Sequence, residues 1–504
     1  MRVQARSLPR VWLAACFLAG AAAVPVADDL AAKAQRGREA MAAGRFDEAA
    51  TLYAEITRAL PDEPGMLLNL GMALSMAGRP REAVPRLEAA LRLRPDLLPA
   101  SLFLGAARLE LGQPARALEP LQKVVAAQPD NLEARRRLAD ALWSLERFAP
   151  AVQEYQTLAG QAPDDPRAWY GLGKSYEGLA RVALERLQTS APDTDYVLRL
   201  VADTMVAEGR LANAFRLYRE ALEKRPSLAE AHDALARIYE DSGHPEWAAV
   251  ERERSRAIPP LDCPAPSPQC DFRARRYASV LATAGSLGTA EGLYWESRAA
   301  RELAAEAFAR LDHLAPSAEA TLRHVEVLRS RKRTAAREAI DELKKAAQAW
   351  PEDLRIRREL ATVLVIVGDT ETAQAILEEL LKREPESAEA ALALGETWLK
   401  VQQPARAIPL LEGVVRRDPK LLLAQAALGR AYAEAGDMAK AIAPLQAALE
   451  TDQDGSLHYQ LARAYRATGR SELATQALAQ FQEIRKSAEA QAQSLQEEFR
   501  ITPP

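Results

Sequence analysis

The stretch 64–97, PGMLLNLGMALSMAGRPREAVPRLEAALRLRPDL, contains two short apolar patterns separated by a turn signal. The first pattern places small and apolar residues at helical spacing, namely Leu67, Leu70, Gly71 and Leu74. The second does the same after Ala77-Gly78-Arg79, with Ala83, Leu87 and Ala90. Pro95 ends the second pattern, because proline lacks the N–H group that a continuing helix needs. The stretch therefore predicts two antiparallel helices joined by a tight turn.

The pattern recurs with a period of 34 residues. In the first half this step separates Ala49, Ala83, Ala117 and Ala151, and also Pro61, Pro95, Pro129 and Pro163. In the second half it separates Ala339, Ala373, Ala407 and Ala441. A period of this size indicates an array of helix pairs, since one pair cannot bury its apolar face alone and stacks on its neighbours.

One interval is shorter than the rest. Pro192 follows Pro163 after only 29 residues, so five residues are missing from this unit. We expect either a shortened turn near Gly178 or a fusion of its two helices.

The small residues Gly71 and Ala83 fall where two antiparallel helices must approach closely, and a larger side chain would force them apart. With these features the chain resembles the tetratricopeptide repeat (TPR) family. The first-helix signature of the family is matched by Trp169, Leu172-Gly173 and Tyr176, and its second-helix half by Ala407, Leu411, Val414 and Pro419. The resemblance implies an all-α fold, a right-handed superhelical α-solenoid of about twelve TPR or TPR-like helix pairs.

Composition and charge agree with a helical array. Alanine, leucine, glutamate and arginine dominate, and aromatic residues make up only 6% of the chain. The hydrophobic content of 48% is ample for a core, which argues against wholesale disorder. The net charge is −4 and is spread evenly, so no nucleic-acid-binding footprint is indicated.

The N terminus has the form of a secretory signal peptide. Arg2, Arg6 and Arg10 precede an apolar run over residues 11–23 that is too short to span a bilayer comfortably. We expect residues 1–23 to be removed, with cleavage as late as residue 27 as the alternative. The mature chain would then be exported and periplasmic or envelope-associated in a bacterium. A lipoprotein anchored through Cys16, in the sequence LAAC, is the second interpretation.

The period also suggests a division of the mature chain. We expect an N-terminal TPR block over 28–260, a proline- and cysteine-rich joint with an irregular connection over 261–290, and a C-terminal TPR block over 291–484. Residues 485–504 are polar nearly all round and are expected to form a capping helix and tail.

The joint begins with PPLDCPAPSPQC, residues 259–270, which holds two of the three cysteines. Without the signal peptide, Cys263 and Cys270 are the remaining pair, and an isolated pair in an exported chain favours a disulfide. The intervening prolines favour an extended chain, so the bond requires a sharp turn around residues 265–267. Free thiols and a two-cysteine metal site are the alternatives.

Motifs for chemistry are absent from the sequence. The five histidines show no metal-ligand spacing, and neither a phosphate-binding loop nor a nucleophile elbow occurs. The segment GLGKS at 171–175 lacks the upstream glycine and strand of a phosphate loop. We therefore predict no catalytic, cofactor-binding or metal-binding residues and no cofactor.

The resemblance implies a binding groove lined by positions 2, 5, 9 and 12 of each first helix. In this sequence the groove residues would be Leu68, Met72, Leu102, Arg136, Asp140, Asp233, Arg237, Arg358, Arg430 and Arg463. The groove would change from apolar to mixed charge to basic, which suits an extended or helical polypeptide with apolar and acidic portions. Two alternatives remain: these positions are ordinary solvated surface, or the solenoid's own helices cover them.

Together these features predict a non-enzymatic scaffold that holds a protein or peptide. The sequence leaves two other classes open: an enzyme with chemistry in segment 261–320 or in the groove, and a self-assembling structural repeat protein.

Overall fold

The computed structural model of the chain describes residues 23–260, 262–263, 267–331, 335–497 and 500–504, and these form 26 α-helices without a strand. The chain divides into two compact units, Met1–Gly178 and Leu179–Pro504. The all-α class and the array of helix pairs predicted from the period are confirmed. Among the described helices, none combines the length and apolar character needed to span a membrane.

Unit 1 is a series of antiparallel helix pairs. Its helices are α1 (Ala23–Ala42), α2 (Phe46–Ala59), α3 (Pro64–Met76), α4 (Pro80–Leu93), α5 (Leu98–Glu110), α6 (Pro114–Ala127), α7 (Leu132–Ser144), α8 (Phe148–Gln161) and the first part of α9 (Pro166–Ser190). Each helix packs on the next along the chain, and the first helices α3, α5 and α7 also contact one another. Within unit 1 the first helices therefore form a continuous layer.

The close approach of helices within a pair depends on glycine. A Cβ atom added at Gly71 would lie 2.5 Å from Leu87 Cγ, and one at Gly105 would lie 2.5 Å from Leu121 Cγ. Leu87, Leu121 and Ala83 are fully buried in these contacts. The expectation that small residues mark the close approach is confirmed, because no larger side chain fits beside the leucine.

The short interval in the period corresponds to a fused helix. α9 runs without interruption through the position where the other pairs turn, and it is 25 residues long. Gly178, in the middle of this helix, packs against Phe148, with 2.3 Å from an added Cβ to the ring carbon Cε1. The missing residues thus removed the turn and joined the two helices.

Unit 2 begins with the second part of α9 and continues in the same way. The helices in its N-terminal part are α10 (Asp195–Ala207), α11 (Leu211–Lys224), α12 (Ala229–Asp241), α13 (Pro245–Ala257), α14 (Pro268–Arg273), α15 (Tyr277–Leu287) and α16 (Ala290–Ala309). A 3₁₀ turn, Leu311–His313, follows α16.

The remaining helices of unit 2 return to regular pairs. They are α17 (Ala318–Arg331), α18 (Ala336–Ala349), α19 (Leu354–Val367), α20 (Thr370–Arg383), α21 (Ala388–Lys400), α22 (Pro404–Arg417), α23 (Leu422–Glu434), α24 (Met438–Ala447), α25 (Ser456–Ala467) and α26 (Ser471–Glu497). The glycine–leucine contact of unit 1 recurs here, since an added Cβ at Gly429 would lie 2.7 Å from Leu445 Cγ.

The segment expected to be an irregular connection contains α14 and α15. The Sγ atoms of Cys263 and Cys270 are 2.09 Å apart and their Cα atoms 5.9 Å apart, so the two cysteines form a disulfide. Ser267 caps α14 by accepting a hydrogen bond from the Cys270 N–H at 3.2 Å, and Pro268 occupies the first turn, where a missing N–H costs nothing. Cys270 therefore lies in the first turn of α14, whereas residues 264–266, which hold most of the expected sharp turn, lie outside the described residues.

Two predictions are not tested by the structure. The signal peptide and Cys16 lie outside the described residues, because the description begins at residue 23. The proposed block boundaries at 260, 290 and 484 stay a prediction.

Candidate partner-binding surface

The apolar positions predicted for unit 1 lie on the layer of first helices. Leu68 is 9% exposed and belongs to the core, whereas Met72 on α3 and Leu102 on α5 are half-buried. Trp143 on α7, which was not among the predicted residues, is 40% exposed. We call Met72, Leu102 and Trp143 the unit 1 apolar face. Met72, Leu102 and Trp143 occupy positions 9, 5 and 12 of their helices. At 100° per residue, side chains at positions 5, 9 and 12 point in nearly the same direction, so they lie on one side of a helix.

The apolar face is followed by a cluster of ion pairs on α7. Arg136 contacts Glu133 at 2.8 Å and Asp140 at 2.9 Å, and the Tyr155 hydroxyl donates to Asp140 at 2.5 Å. Partial burial alone would raise the pKa of Glu133, but its hydrogen bonds and charge interactions with Arg136 and Arg137 hold that pKa below its ordinary value. Arg136 and Asp140 are therefore ion-pair partners of each other, and their contact with a partner chain stays a prediction.

In unit 2 the corresponding positions of α10 lie under the chain's own helix α16. Arg199 stands at the position of α10 that Arg136 holds in α7, and it is 5% exposed. Its guanidinium donates to the Tyr294 hydroxyl of α16 at 2.8 Å and to Asp195 at 2.9 Å. Ser297 of α16 is fully buried and donates to the Ala180 carbonyl of α9 at 2.9 Å. Helix α16 therefore covers the face of α10 that carries Arg199.

Arginines of α16 extend these contacts to both neighbouring helices. Arg298 hydrogen-bonds Glu230 of α12, and Arg301 donates to Thr204 of α10 at 3.0 Å. Burial raises the pKa of Tyr294 to about 12, so its hydroxyl stays protonated at neutral pH. Burial also lowers the pKa of Arg301 from its ordinary value. α16 is thus anchored by charged groups with partners on two helices.

The predicted residues Asp233 and Arg237 lie beside α16 on α12, and both are exposed. Arg237 lines a cavity of about 410 Å³. Its walls come from α10, α11, α12 and α16 and include Asp203, Tyr218, Arg237, Arg298, Arg301 and Glu302. Acidic and basic groups alternate around this cavity, so it carries no single sign of charge.

The three arginines predicted to form a basic end have neighbouring partners. Arg358 contacts Glu384 at 2.7 Å and Glu389 at 3.7 Å, and Arg430 contacts Glu396 of the preceding first helix at 3.2 Å. Arg463 donates to Gln460 at 3.1 Å. The charges of Arg358 and Arg430 are locally balanced, so positive potential at these positions is weaker than the sequence suggested.

His232, on α12, is paired within its own repeat. His232 is buried, with Nδ1 at 2.5 Å from Glu251 Oε2 and Nε2 at 3.4 Å from the Pro226 carbonyl. Trp169 and Gln425, at the same repeat position, donate to the carbonyls of Pro163 and Pro419. His232 therefore has a structural role within its repeat. Within the described residues no group of three or more His, Cys, Asp or Glu side chains is arranged to hold a metal ion.

Two features of the surface escaped the sequence reasoning. Trp143 stands at position 12 of its repeat, so the period could have identified it. The coverage of α10 by α16 had no sequence signal, because α16 is not adjacent to α10 along the chain.

Repeated antiparallel helix pairs with an exposed first-helix layer define an α-helical repeat protein, a class that serves as protein-interaction scaffolds. The repeats that family models match are tetratricopeptide repeats. One tetratricopeptide-repeat family model matches residues 108–174 and 399–459. A second matches residues 35–97, 73–131 and 358–420. The interval between residues 174 and 358, which contains α10 to α18, lies outside these matches.

Among solved structures the chain is similar to those of MamA. The MamA RS-1 double mutant is 24% identical, with 32% of this chain and 96% of that chain covered and a TM-score of 0.29. A MamA structure from Desulfovibrio magneticus RS-1 is 19% identical, with 39% and 94% covered and a TM-score of 0.22. Scores this low carry no argument about this chain. A comparison with curated proteins gives no match.

Proposed function

We propose that this chain is a non-enzymatic scaffold of the bacterial cell envelope that binds a polypeptide along the first-helix layer of unit 1. The partner is an extended or helical segment with an apolar portion that contacts Met72, Leu102 and Trp143. The observation that carries the proposal is a contrast between two first helices, each described within its own unit. In unit 2 the chain's own α16 covers Arg199 of α10, whereas in unit 1 Trp143 of α7 is 40% exposed.

The composition of the unit 1 apolar face supports a protein partner. A half-exposed methionine adapts to different shapes, and tryptophan is enriched at the centres of protein interfaces. Arg136, Glu133 and Asp140 lie next to this face and offer donors and acceptors to the partner's backbone or charged side chains. Such a surface selects a segment in which an apolar stretch is followed by polar groups.

Binding is tested with charge substitutions on the apolar face. The tagged mature chain is cross-linked in envelope extract, and the stoichiometric partner is identified and then purified for affinity measurements. Met72→Glu and Leu102→Glu should each weaken the partner's affinity by at least about tenfold, because each places a charge in a desolvated apolar contact. Leu93→Glu is the matched control, since Leu93 is an exposed leucine of the same unit at the end of α4.

Three outcomes would contradict the proposal. One is a partner that both variants bind with unchanged affinity while their circular dichroism matches the wild type. Another is a monodisperse chain without a partner that hydrolyses a substrate, which would favour the enzyme. The third is concentration-dependent assembly that survives both substitutions, which would favour a self-assembling structural protein.

The proposed location has a separate test. The full sequence with a C-terminal tag is expressed in a Gram-negative host and fractionated. We expect the chain in the periplasmic or envelope fraction, and we expect a chain without residues 1–23 to remain in the cytoplasm. Cys16→Ser should leave the fraction and the mass of the mature chain unchanged. A loss of a lipid mass with this substitution would instead establish the lipoprotein, and cytoplasmic retention of the full sequence would refute export.

A further inference from the structure

The last five residues of the chain, Arg500–Pro504, are not helical and lie against α12. The Tyr239 hydroxyl donates a hydrogen bond to the Thr502 carbonyl at 2.7 Å, across a sequence separation of 263 residues. Ile501 is half-buried and packs against the core cluster formed by α10, α11, α12 and α13. The tail is therefore seated on a defined part of unit 2.

Aromatic side chains from three helices form the surface under the tail. The Tyr239 ring is fully buried, and its centroid lies 5.6 Å from those of both Phe215 on α11 and Trp247 on α13. Proline-rich peptides dock on aromatic grooves of this kind, because their backbone is already extended and loses little entropy on binding. The tail sequence Ile-Thr-Pro-Pro has this composition.

Tyr239 differs from Tyr432, which stands at the same repeat position. The Tyr432 hydroxyl donates to Glu412 of the preceding helix, whereas the Tyr176 and Tyr465 hydroxyls accept from the side-chain amides of Gln156 and Gln446. The corresponding residue for Tyr239 is Arg219, whose guanidinium can only donate and offers the hydroxyl no acceptor. The hydroxyl proton of Tyr239 is therefore left for an acceptor outside the helix pair, and the Thr502 carbonyl accepts it.

The tail and α16 contact different sides of α12. At 100° per residue, Tyr239 points roughly 120° away from Asp233 and about 160° away from Arg237, which lie beside α16. The tail site is thus separate from the first-helix layer, and it does not depend on the function proposed for unit 1.

We propose that the groove formed by α11, α12 and α13 is a second peptide-binding site of this chain. Its ligand class is an extended segment with an aliphatic residue followed by Thr-Pro-Pro. The chain's own C terminus occupies the site, with Ile501 in the apolar cluster and the Thr502 carbonyl on Tyr239. Because the tail is tethered to the same molecule, its effective concentration is on the order of millimolar, and it excludes weaker competitors.

The test uses a fluorescent synthetic peptide with the sequence of residues 500–504. Fluorescence anisotropy compares the full chain with a chain that ends at residue 499. The truncated chain should bind the peptide, and the full chain should bind it at least about tenfold more weakly, because its own tail competes. A peptide with Ile501→Asp should not bind the truncated chain.

Substitution of the hydroxyl donor identifies the site. In the truncated chain, Tyr239→Phe keeps the ring and removes the donor, so peptide affinity should fall about three- to tenfold. Tyr432→Phe is the matched control, because it removes a hydroxyl at the same repeat position whose partner is Glu412. The control should bind the peptide like the unsubstituted truncated chain.

Full-length protein provides a readout that does not require the truncation to fold. Ile501→Asp in the full chain should speed hydrogen exchange in residues 236–250 and leave exchange in α23 unchanged. Two results would overturn the proposal: a folded truncated chain that does not bind the peptide, or full-length Ile501→Asp with unchanged exchange in 236–250. Equal loss of affinity with Tyr239→Phe and Tyr432→Phe would also overturn it.

Discussion

At the scale of single residues, the turn within each helix pair depends on one left-handed backbone position. Gly78, Gly112 and Gly436 fill it with φ of +71°, +67° and +88°. Gln402, 34 residues before Gly436, adopts φ of 56° at the same position without being a glycine. A side chain makes this conformation costly by about 1–2 kcal/mol, because its Cβ crowds the backbone. The fold of the pair imposes the conformation on Gln402 in spite of that cost.

Gln402→Gly should therefore stabilise the protein. The free energy gained by removing the backbone strain is larger than the entropic cost of glycine's greater freedom in the unfolded chain. We therefore expect the free energy of unfolding to rise by about 0.5–1 kcal/mol. Urea denaturation followed by circular dichroism measures the change. Gly436→Ala is the reciprocal control and should lower stability by about 1 kcal/mol. A lower stability of Gln402→Gly would show that the glutamine side chain makes a larger contribution than the backbone strain removes.

At the scale of elements, a histidine joins the 3₁₀ turn after α16 to the pair α17–α18. His324 Nδ1 lies 2.8 Å from Glu342 Oε2 of α18, and Nε2 lies 3.3 Å from Asp312 of the turn. The hydrogen bond with Glu342 raises the pKa of His324 above the ordinary histidine value of about 6.5. The charges of Glu342, Asp312 and Glu338 add to this effect, and burial opposes it. The protonated imidazolium is thus the form that the folded state favours.

The contact should make stability depend on pH. A raised folded-state pKa means that the stabilisation is fully present below the unfolded pKa, near 6.5, and is lost as pH rises through the folded value. The difference in urea midpoint between wild type and His324→Asn should be largest at about pH 6 and nearly absent at about pH 9. His313→Asn, which changes an exposed histidine of the same turn, should show no such difference. A gap that widens towards high pH would contradict the assigned protonation.

At the scale of the whole molecule, the core is a series of local clusters. Leu87 belongs to a cluster built from α1 to α5, whereas Leu411 belongs to one built from α19 to α26. In repeat proteins each helix pair contacts mainly its neighbours, so stability is a sum of local terms. Damage to one cluster should therefore remain near its origin.

Leu87→Ala tests this locality. The substitution removes a fully buried side chain and should destabilise its cluster by about 2–5 kcal/mol. Hydrogen exchange followed by mass spectrometry should show faster exchange in α2 to α5 and unchanged exchange in α21 to α25. Leu411→Ala should give the converse. Equal acceleration throughout the chain in either variant would indicate a single cooperative unit instead.

The sequence predicted those parts of the candidate surface that depend on repeat register. The period placed Met72 and Leu102 on the first-helix layer, and Arg136 next to Asp140 on one helix. It placed Leu68 on the same surface, although that leucine is buried, because register gives the direction of a side chain but not what packs on it. The balanced charges of Arg358 and Arg430 also depend on glutamates in neighbouring helices, which the position rule ignores.

The sequence by itself determined the helix pairs, their close approach at Gly71 and Ala83, and the resemblance to tetratricopeptide repeats. These features follow from short-range spacing, since a helix repeats every 3.6 residues and each pair packs on the next. The sequence left a shortened turn and a fused helix open at the short interval, and the structure decided for the fused helix α9. Only the tertiary structure decided which stretches of the first-helix layer are covered. Arg199 meets Tyr294 across 95 residues and Tyr239 meets Thr502 across 263. Contacts at such separations depend on how α16 and the tail return to α10 and α12, and no local pattern encodes that return.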